Sequence, residues 1–463
     1  MSFFSSTSSQ INRLLAFALV ALVAAVIIPR VFYKDSNFNL SNDFIGEDAL
    51  VRLEQEFNLS QAKLSGIHRH FAREMRKGLE RHGATMPMIP TFITNSVTGK
   101  EQGEYMALDM GGTNLRVCRV VLEGAGQLSV EQETFVIPAE LKVGSINDMF
   151  DWVVSCVETF FEHKGHPLKP EEEAISTNIL YIGIILGTGT NAAYYETRDA
   201  LEKWGTLAHE DPNLDFTEMI INTEWSNFDG ERVVLPVTRY DHDLDTATND
   251  AGTSIFEKLI SGMYLGEIAR LILADLHAKG RIFAGLSLGA DAEAIRRAVA
   301  EPYIFTSEYI SLIVDDTTLN LATVAQVLAD FLSISAASIP LADLTTVRAV
   351  CSLVGTRAAR LSAVGVAAIF TQRPELLEQG DGSTVAVDGS LFENYPGWVE
   401  IMQETLIRLL GKEKANRIRL RLVKDGSGVG AAIVAMLAAQ QQQQRTFRLD
   451  NCTDDCAYRV DNN

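Results

Sequence analysis

Three short stretches of this chain set glycine beside a hydroxyl residue at the end of an apolar run. They are Gly111, Gly112 and Thr113; Gly187, Thr188 and Gly189; and Gly426, Ser427, Gly428 and Val429. Glycine lets backbone N–H groups approach an anion closely, and the hydroxyls of Thr113, Thr188 and Ser427 add donors. The first stretch, YMALDMGGTNLRVCRVV from Tyr105 to Val121, reads as a β-hairpin whose turn can hold phosphate, flanked by Asp109, Asn114 and Arg116. Any one of these turns alone is weak evidence, because most glycine pairs simply turn a strand. None matches the Walker A or dinucleotide fingerprints. Three in one chain, each with a hydroxyl, strengthen a nucleotide-site reading, with plain strand reversal still open beside it.

The elements that must position these turns follow from hydrophobic periodicity. DALVRLEQEF and LSQAKLSGIHRHFAREMRKGLERHG repeat apolar residues at three and four, with charges between, as helices do. Asp148 to His163 reads as a helix. Tyr181 to Glu196 reads as strand, glycine turn and strand, and Ser254 to Lys279 as one long amphipathic helix. Thr345 to Thr371 is a small-residue helical region. Arg357 and Arg360 inside it rule against a membrane span. Arg417 to Leu437 reads as strand, glycine turn and helix. Gln440 to Gln444 is low complexity, and the acidic tail beyond it is expected to be disordered.

At 463 residues and 47% hydrophobic, the chain can bury a sizeable core split over two or more units. A net charge of −20 with no basic stripe argues against a nucleic-acid partner. A polyanionic substrate must then be held by local backbone donors and a few basic groups. The five cysteines, at 118, 156, 351, 452 and 456, fit a reducing compartment with core thiols. Cys452 and Cys456 alone are too few ligands for a metal, so no metal site is expected.

Residues 1–34 stand apart. MSFFSSTSSQINR is Ser-rich, and Leu14 to Ile28 then run without charge or polar group to Pro29, Arg30 and Lys34. Such a run spans ~22 Å as a helix against a bilayer core of ~30 Å. Extension to Tyr33, with Arg30 snorkelling, makes it long enough. An uncleaved anchor is the reading adopted, with a cleaved signal peptide as its rival. Arg30 and Lys34 downstream, against Arg13 upstream, favour a cytosolic body, and a short anchor suits the mitochondrial outer membrane or the endoplasmic reticulum.

LDMGGTNLRV, IGIILGTGTNAAYYE, INTEWSNFD, FEKLISGMYLGEIARLIL, LVGTRAARLSAVGVAAI, AVDGSLF and KDGSGVGAA occur in that order. Together they resemble hexokinases, from about Asp48 to Leu437. The resemblance implies a two-lobed α/β fold of the actin-like ATPase (ribonuclease H-like) type, with the anchor helix in front. It divides the chain into the anchor 1–34, large-lobe helices 48–103, a truncated small lobe 104–180, the large lobe 181–437 and a Gln-rich tail 438–463. It implies ATP carried with Mg²⁺, and a hexose (glucose, fructose or mannose). By the same resemblance the first two turns are phosphate loops, Gly426 to Val429 face the adenosine, and Thr356 lies near the nucleotide. Asn191, Glu224 and Glu257 match the family's holders of sugar hydroxyls. A carboxylate that accepts two hydroxyls suits a hexose. From periodicity alone Glu257 is a solvated helix residue and Glu224 a turn carboxylate.

One part of the family pattern is missing. Hexokinases draw their base from an aspartate in an NDT motif upstream of the second phosphate loop, and a Ser/Pro loop and a Thr-Lys pair complete the sugar contacts. Here the interval from Asp109 to Asn191 is several dozen residues too short, and FFEHKGHPLKPEEEAISTNIL stands in their place. No catalytic base is therefore identified. VDDTT (Val314 to Thr318) comes after the phosphate loops, in a region the family uses structurally, and Asp109 would orient metal-bound water. Two readings remain open. One is a membrane-tethered sensor that binds ATP and hexose with little turnover. The other is an active hexokinase whose true chain includes an exon absent here.

Overall fold

The computed structural model describes residues 47–94, 98, 100–110, 114–125, 127–142, 144–163, 173–174, 182–204, 216–286, 290–378, 380, 382–424, 426–434 and 436–437. Residues 1–34, read above as an anchor, Gly111, Gly112, Thr113 and the tail lie outside them.

The larger sheet has the order β1-β8-β7-β6-β9-β10. It is built from β1 (Ile89–Pro90), β6 (Ile182–Leu186), β7 (Thr190–Thr197), β8 (Glu218–Asn222), β9 (Ser383–Asp388) and β10 (Ile418–Leu422). The hairpin strands β6, β7 and β8 pair antiparallel, whereas β6, β9 and β10 run parallel. Parallel strands need crossovers, and the helices between β8 and β9 supply one. The longest of these is Leu341–Gln372. It is the one described helix long and apolar enough to cross a membrane, yet 83% of its apolar window is buried within the protein. The buried ion pair of Arg357 with Asp241 fixes it there, so it is a core helix, as its internal arginines foretold. The helix Gln61–Glu80 packs beside it, started by the Ser60 side chain accepting from Lys63 N–H.

The smaller sheet has the order β2-β3-β4-β5, from β2 (Gln102–Met110), β3 (Asn114–Gly124), β4 (Gln127–Val136) and the two-residue β5 (Glu173–Ala174). All its pairings are antiparallel. β2 and β3 pair antiparallel on either side of residues 111–113, as the alternation predicted. The helix Ile146–His163 covers one face, burying Cys156 and Phe160 against Leu115 and Val117. The other face is covered by the chain's last described helix, through Ala432, Met436 and Leu437 against Ala107, Cys118 and Val120.

Two expectations need correction. The helix read over Ser254 to Lys279 is two helices, Ile255–Ile260 and Gly262–Ala278, broken at Ser261. The break lets Gly262 N–H donate to Gly187 O at 2.7 Å, a contact periodicity cannot register. The third glycine stretch is also not a turn before a helix. Gly426 to Gly430 form the first turns of the helix 426–434 itself.

Candidate active site

β6, β9 and β10 are parallel, so their carboxyl ends share one edge of the sheet, where Ile185 pairs with Asp388 and Leu422 with Val387. Open α/β sheets bind ligands beyond such carboxyl ends. Two of the three glycine stretches meet there. Gly187 follows β6, and Gly426 follows β10 closely enough that a Cβ on it would stand 3.2 Å from Asp388 Oδ2. The join tolerates no side chain at Gly389. Its φ is +140°, and a Cβ would lie 2.2 Å from Leu186 O. Gly428 is likewise closed in, because a Cβ would meet Cys118 Sγ at 2.7 Å. Glycine in this helix therefore brings the large sheet's edge against β3 of the small one.

The Gly187–Gly189 turn is held from behind. Gly187 N–H donates to Gly189 O at 3.0 Å, and the turn's Gly187 and Thr188 carbonyls accept from Gly262 and Met263 N–H. Glu257 supports its exit, with Oε2 accepting Thr190 N–H at 2.8 Å. The Thr190 hydroxyl accepts the indole N–H of buried Trp225 at 3.0 Å and donates to Ile185 O. A rigid turn with a preset backbone is what an anion-binding concavity requires.

The three sugar candidates come together beside this turn. Asn191 Nδ2 donates to Glu224 Oε1 at 3.2 Å, and Glu257 is bound to the residue next to Asn191. Glu224 sits at the end of β8 with φ +50°, in the left-handed region that non-glycine residues seldom occupy. Burial raises the pKa of Glu257 from its ordinary value. The Thr190 N–H opposes that, and the charges of Asp250 and Glu224 add to it. All three candidates are half-buried. The cluster thus presents one amide and two carboxylates, suited to the donor and acceptor pattern of sugar hydroxyls.

Sequence reasoning missed three residues at this edge. Asn222 accepts from Asn191 Nδ2 at 2.7 Å and donates to Glu224 Oε1 at 2.8 Å, so it orients both. The only sequence signal was its place two residues before Glu224 in INTEW. Asp250 lies close enough to raise the Glu257 pKa, while buried Lys258 holds it at 3.1 Å. Asp388 occupies the meeting point of β9 and the helix 426–434, near the end of a helix that favours negative charge.

The other candidates are placed as follows. Asp109 and Arg116 face each other across β2 and β3 and form an ion pair at 3.2 Å. Asn114 begins β3. Thr356 lies within the long core helix and hydrogen-bonds Tyr395. No described contact joins it to either glycine stretch. Asp316 in VDDTT is a structural carboxylate. It accepts from Thr318 N–H and Oγ1 and from Thr323 and Val324 N–H. Burial pushes its pKa up, and those hydrogen bonds outweigh burial and leave it lowered.

Two models described as hexokinase match the chain, one over residues 49–191 and one over residues 181–437. The hexokinase of Kluyveromyces lactis is 32% identical over 461 residues, covering 84% of this chain and 92% of its own. The chain belongs to the hexokinase family. Hexokinase-1 of Schizosaccharomyces pombe is 31% identical over 481 residues, covering 88% of this chain and 94% of its own. Among solved hexokinases, that of Schistosoma mansoni complexed with glucose superposes with a TM-score of 0.71 at 27% identity. It covers 85% of this chain and 98% of its own. The actin-like ATPase fold is shared with these hexokinases. The alignment to the K. lactis hexokinase runs over 461 positions yet takes up 84% of a 463-residue chain. Several dozen positions of that hexokinase therefore face no residue here.

Proposed function

We propose that this chain is a hexokinase-family protein that holds Mg-ATP and a hexose without transferring phosphate between them at a useful rate. The observation that carries the reading is the junction after the helix Ile146–His163. From Lys164 to Tyr181 the sequence contains no aspartate, where the family resemblance calls for the base. The ATP phosphates rest on the N–H groups of the Gly111–Gly112 and Gly187–Gly189 turns, with the adenosine toward Gly426 to Val429 and Thr356. The sugar sits on Asn191, Glu224 and Glu257. Such a protein reports sugar or nucleotide levels to a partner, tethered by residues 1–34 to the mitochondrial outer membrane or the endoplasmic reticulum. Equilibrium dialysis against labelled glucose tests the sugar half. Label is expected to be retained by the intact chain and lost on Glu224→Ala; no retention at millimolar glucose overturns it. The tether has its own test: removal of Met1 to Lys34 is expected to move the protein from the membrane pellet to the supernatant. Equal fractionation of both chains removes the anchor from the account.

A second reading is favoured by the several dozen unmatched positions in the relatives' alignments. In it, the gene encodes an active hexokinase and a coding segment is absent from this chain. Reading the transcript between the codons for Phe160 and Ile185 separates the two.

A further inference from the structure

Lys258 follows Glu257 on the helix Ile255–Ile260, and its side chain is only 2% exposed. A buried charge persists only where it is paired and hydrogen-bonded. All three ammonium protons have an acceptor here: Asp245 Oδ1 at 2.8 Å, Asp250 Oδ1 at 3.1 Å and the Asp250 carbonyl at 3.1 Å. Asp245 is fixed in turn. It pairs with Arg232 and accepts Gly252 N–H on both oxygens, at 3.0 and 3.1 Å. Lys258 therefore pins down the loop between the helices Arg239–Ala247 and Ile255–Ile260. That loop leaves through Ser254 at φ +51°, and Ser254 O accepts Lys258 N–H to open the second helix. Glu257 lies in its first turn. The Glu257 carboxylate stands against the Gly187–Gly189 turn, where a Cβ on Gly189 would meet Oε2 at 2.9 Å.

We infer that Lys258 is a positioning residue of the sugar site. It pins the loop that aims Glu257 and offsets the negative charge of Asp250 beside it, so that Glu257 remains an acceptor for sugar hydroxyls. Among the described residues, charged and titratable groups bear on Glu257 from the elements around it. Asp250 comes from the exposed loop, Glu224 from the end of β8, Lys258 from its own helix and Tyr264 from the next. Asp245 acts on it through Lys258, and Arg357 of the long core helix is committed to Asp241. Burial has the largest influence on the Glu257 pKa and raises it, and Thr190 N–H lowers it. Asp250 and Glu224 then raise it, and Lys258 lowers it. A carboxylate loses its charge, and its capacity to accept two hydroxyls, as pH falls through its raised pKa. Lys258 holds off that loss and Asp250 hastens it. The inference rests on the sugar reading of Glu257 proposed above.

Equilibrium dialysis of the full chain in mild detergent against labelled glucose, repeated from neutral pH downward, tests it. The intact chain is expected to lose glucose as the solution is made more acid. Asp250→Asn, which removes the charge yet keeps an oxygen for Lys258, is expected to carry that loss to lower pH. Lys258→Met is expected to bring it to higher pH, and adding Asp250→Asn to Lys258→Met to move it back. A residue that merely held the fold together would weaken binding at every pH and leave the midpoint in place. Asp250→Asn alone decides the matter if Lys258→Met folds poorly. No glucose binding at neutral pH overturns the sugar reading and this inference with it. Binding that acid does not weaken, or whose midpoint stays put or rises in Asp250→Asn, overturns the inference alone.

Discussion

Incubated with Mg-ATP and glucose, the purified chain is expected to form no hexose 6-phosphate above a no-enzyme control. Phosphoryl transfer rests on positioning, on charge stabilisation and on a group that takes the acceptor's proton. A general base contributes ~10²–10⁴-fold, and a misplaced acceptor costs up to ~10²-fold per ångström. Both losses apply here, because the stretch that should bring the base also brings the Thr-Lys sugar contacts. The carboxylates that remain are committed elsewhere. Glu257 Oε2 accepts Thr190 N–H, and Glu224 Oε1 accepts the amides of both Asn191 and Asn222. Asp250 is held by Lys258. Glu257, with its raised pKa, is the strongest stand-in on chemical grounds. Product formation that Asp109→Ala abolishes would defeat the expectation.

Replacing Arg357 by alanine is expected to cost about 3–5 kcal/mol of stability, the range for breaking one side of a buried ion pair. Its guanidinium reaches both oxygens of Asp241, at 2.7 and 2.6 Å, and stacks 4.3 Å over the Phe57 ring. Asp241 also accepts from Thr238 N–H and Oγ1 to cap the helix Arg239–Ala247. Alanine leaves this carboxylate buried without its cation. The double change Arg357→Met with Asp241→Asn removes both charges and is expected to cost clearly less. Urea unfolding with a common slope measures both. A loss under about 1 kcal/mol, the value of an exposed pair, contradicts the assignment.

The strands around the glycine turns were legible because one-sided burial imposes alternation, visible in β6 as buried Ile182, Ile184 and Leu186. The core helix was legible too, since Arg357 and Arg360 excluded a membrane span, though the partner Asp241 lies on another element and left no trace. The break at Ser261 could not be read. It accompanies a hydrogen bond from Gly262 to a turn distant in sequence, and the amphipathic pattern continues across it. The sugar cluster shows the same limit. By periodicity Glu257 belongs to a solvated helix face, and only the motif resemblance suggested a role. Its geometry depends on Thr190 of β7, and that of Glu224 on Asn222 two residues before it and on Asn191 of the neighbouring strand β7. The third glycine stretch was misread as a turn because glycine disfavours helices. Here its lack of a Cβ serves close packing against Cys118 and Asp388.

The central claim is that nucleotide is held without being used, and titration calorimetry of Mg-ATP into the full chain tests it most directly. Saturable heat at or below millimolar nucleotide is expected, with no ADP formed when glucose is then added. No heat at millimolar Mg-ATP, from protein that circular dichroism shows to be folded, would contradict it.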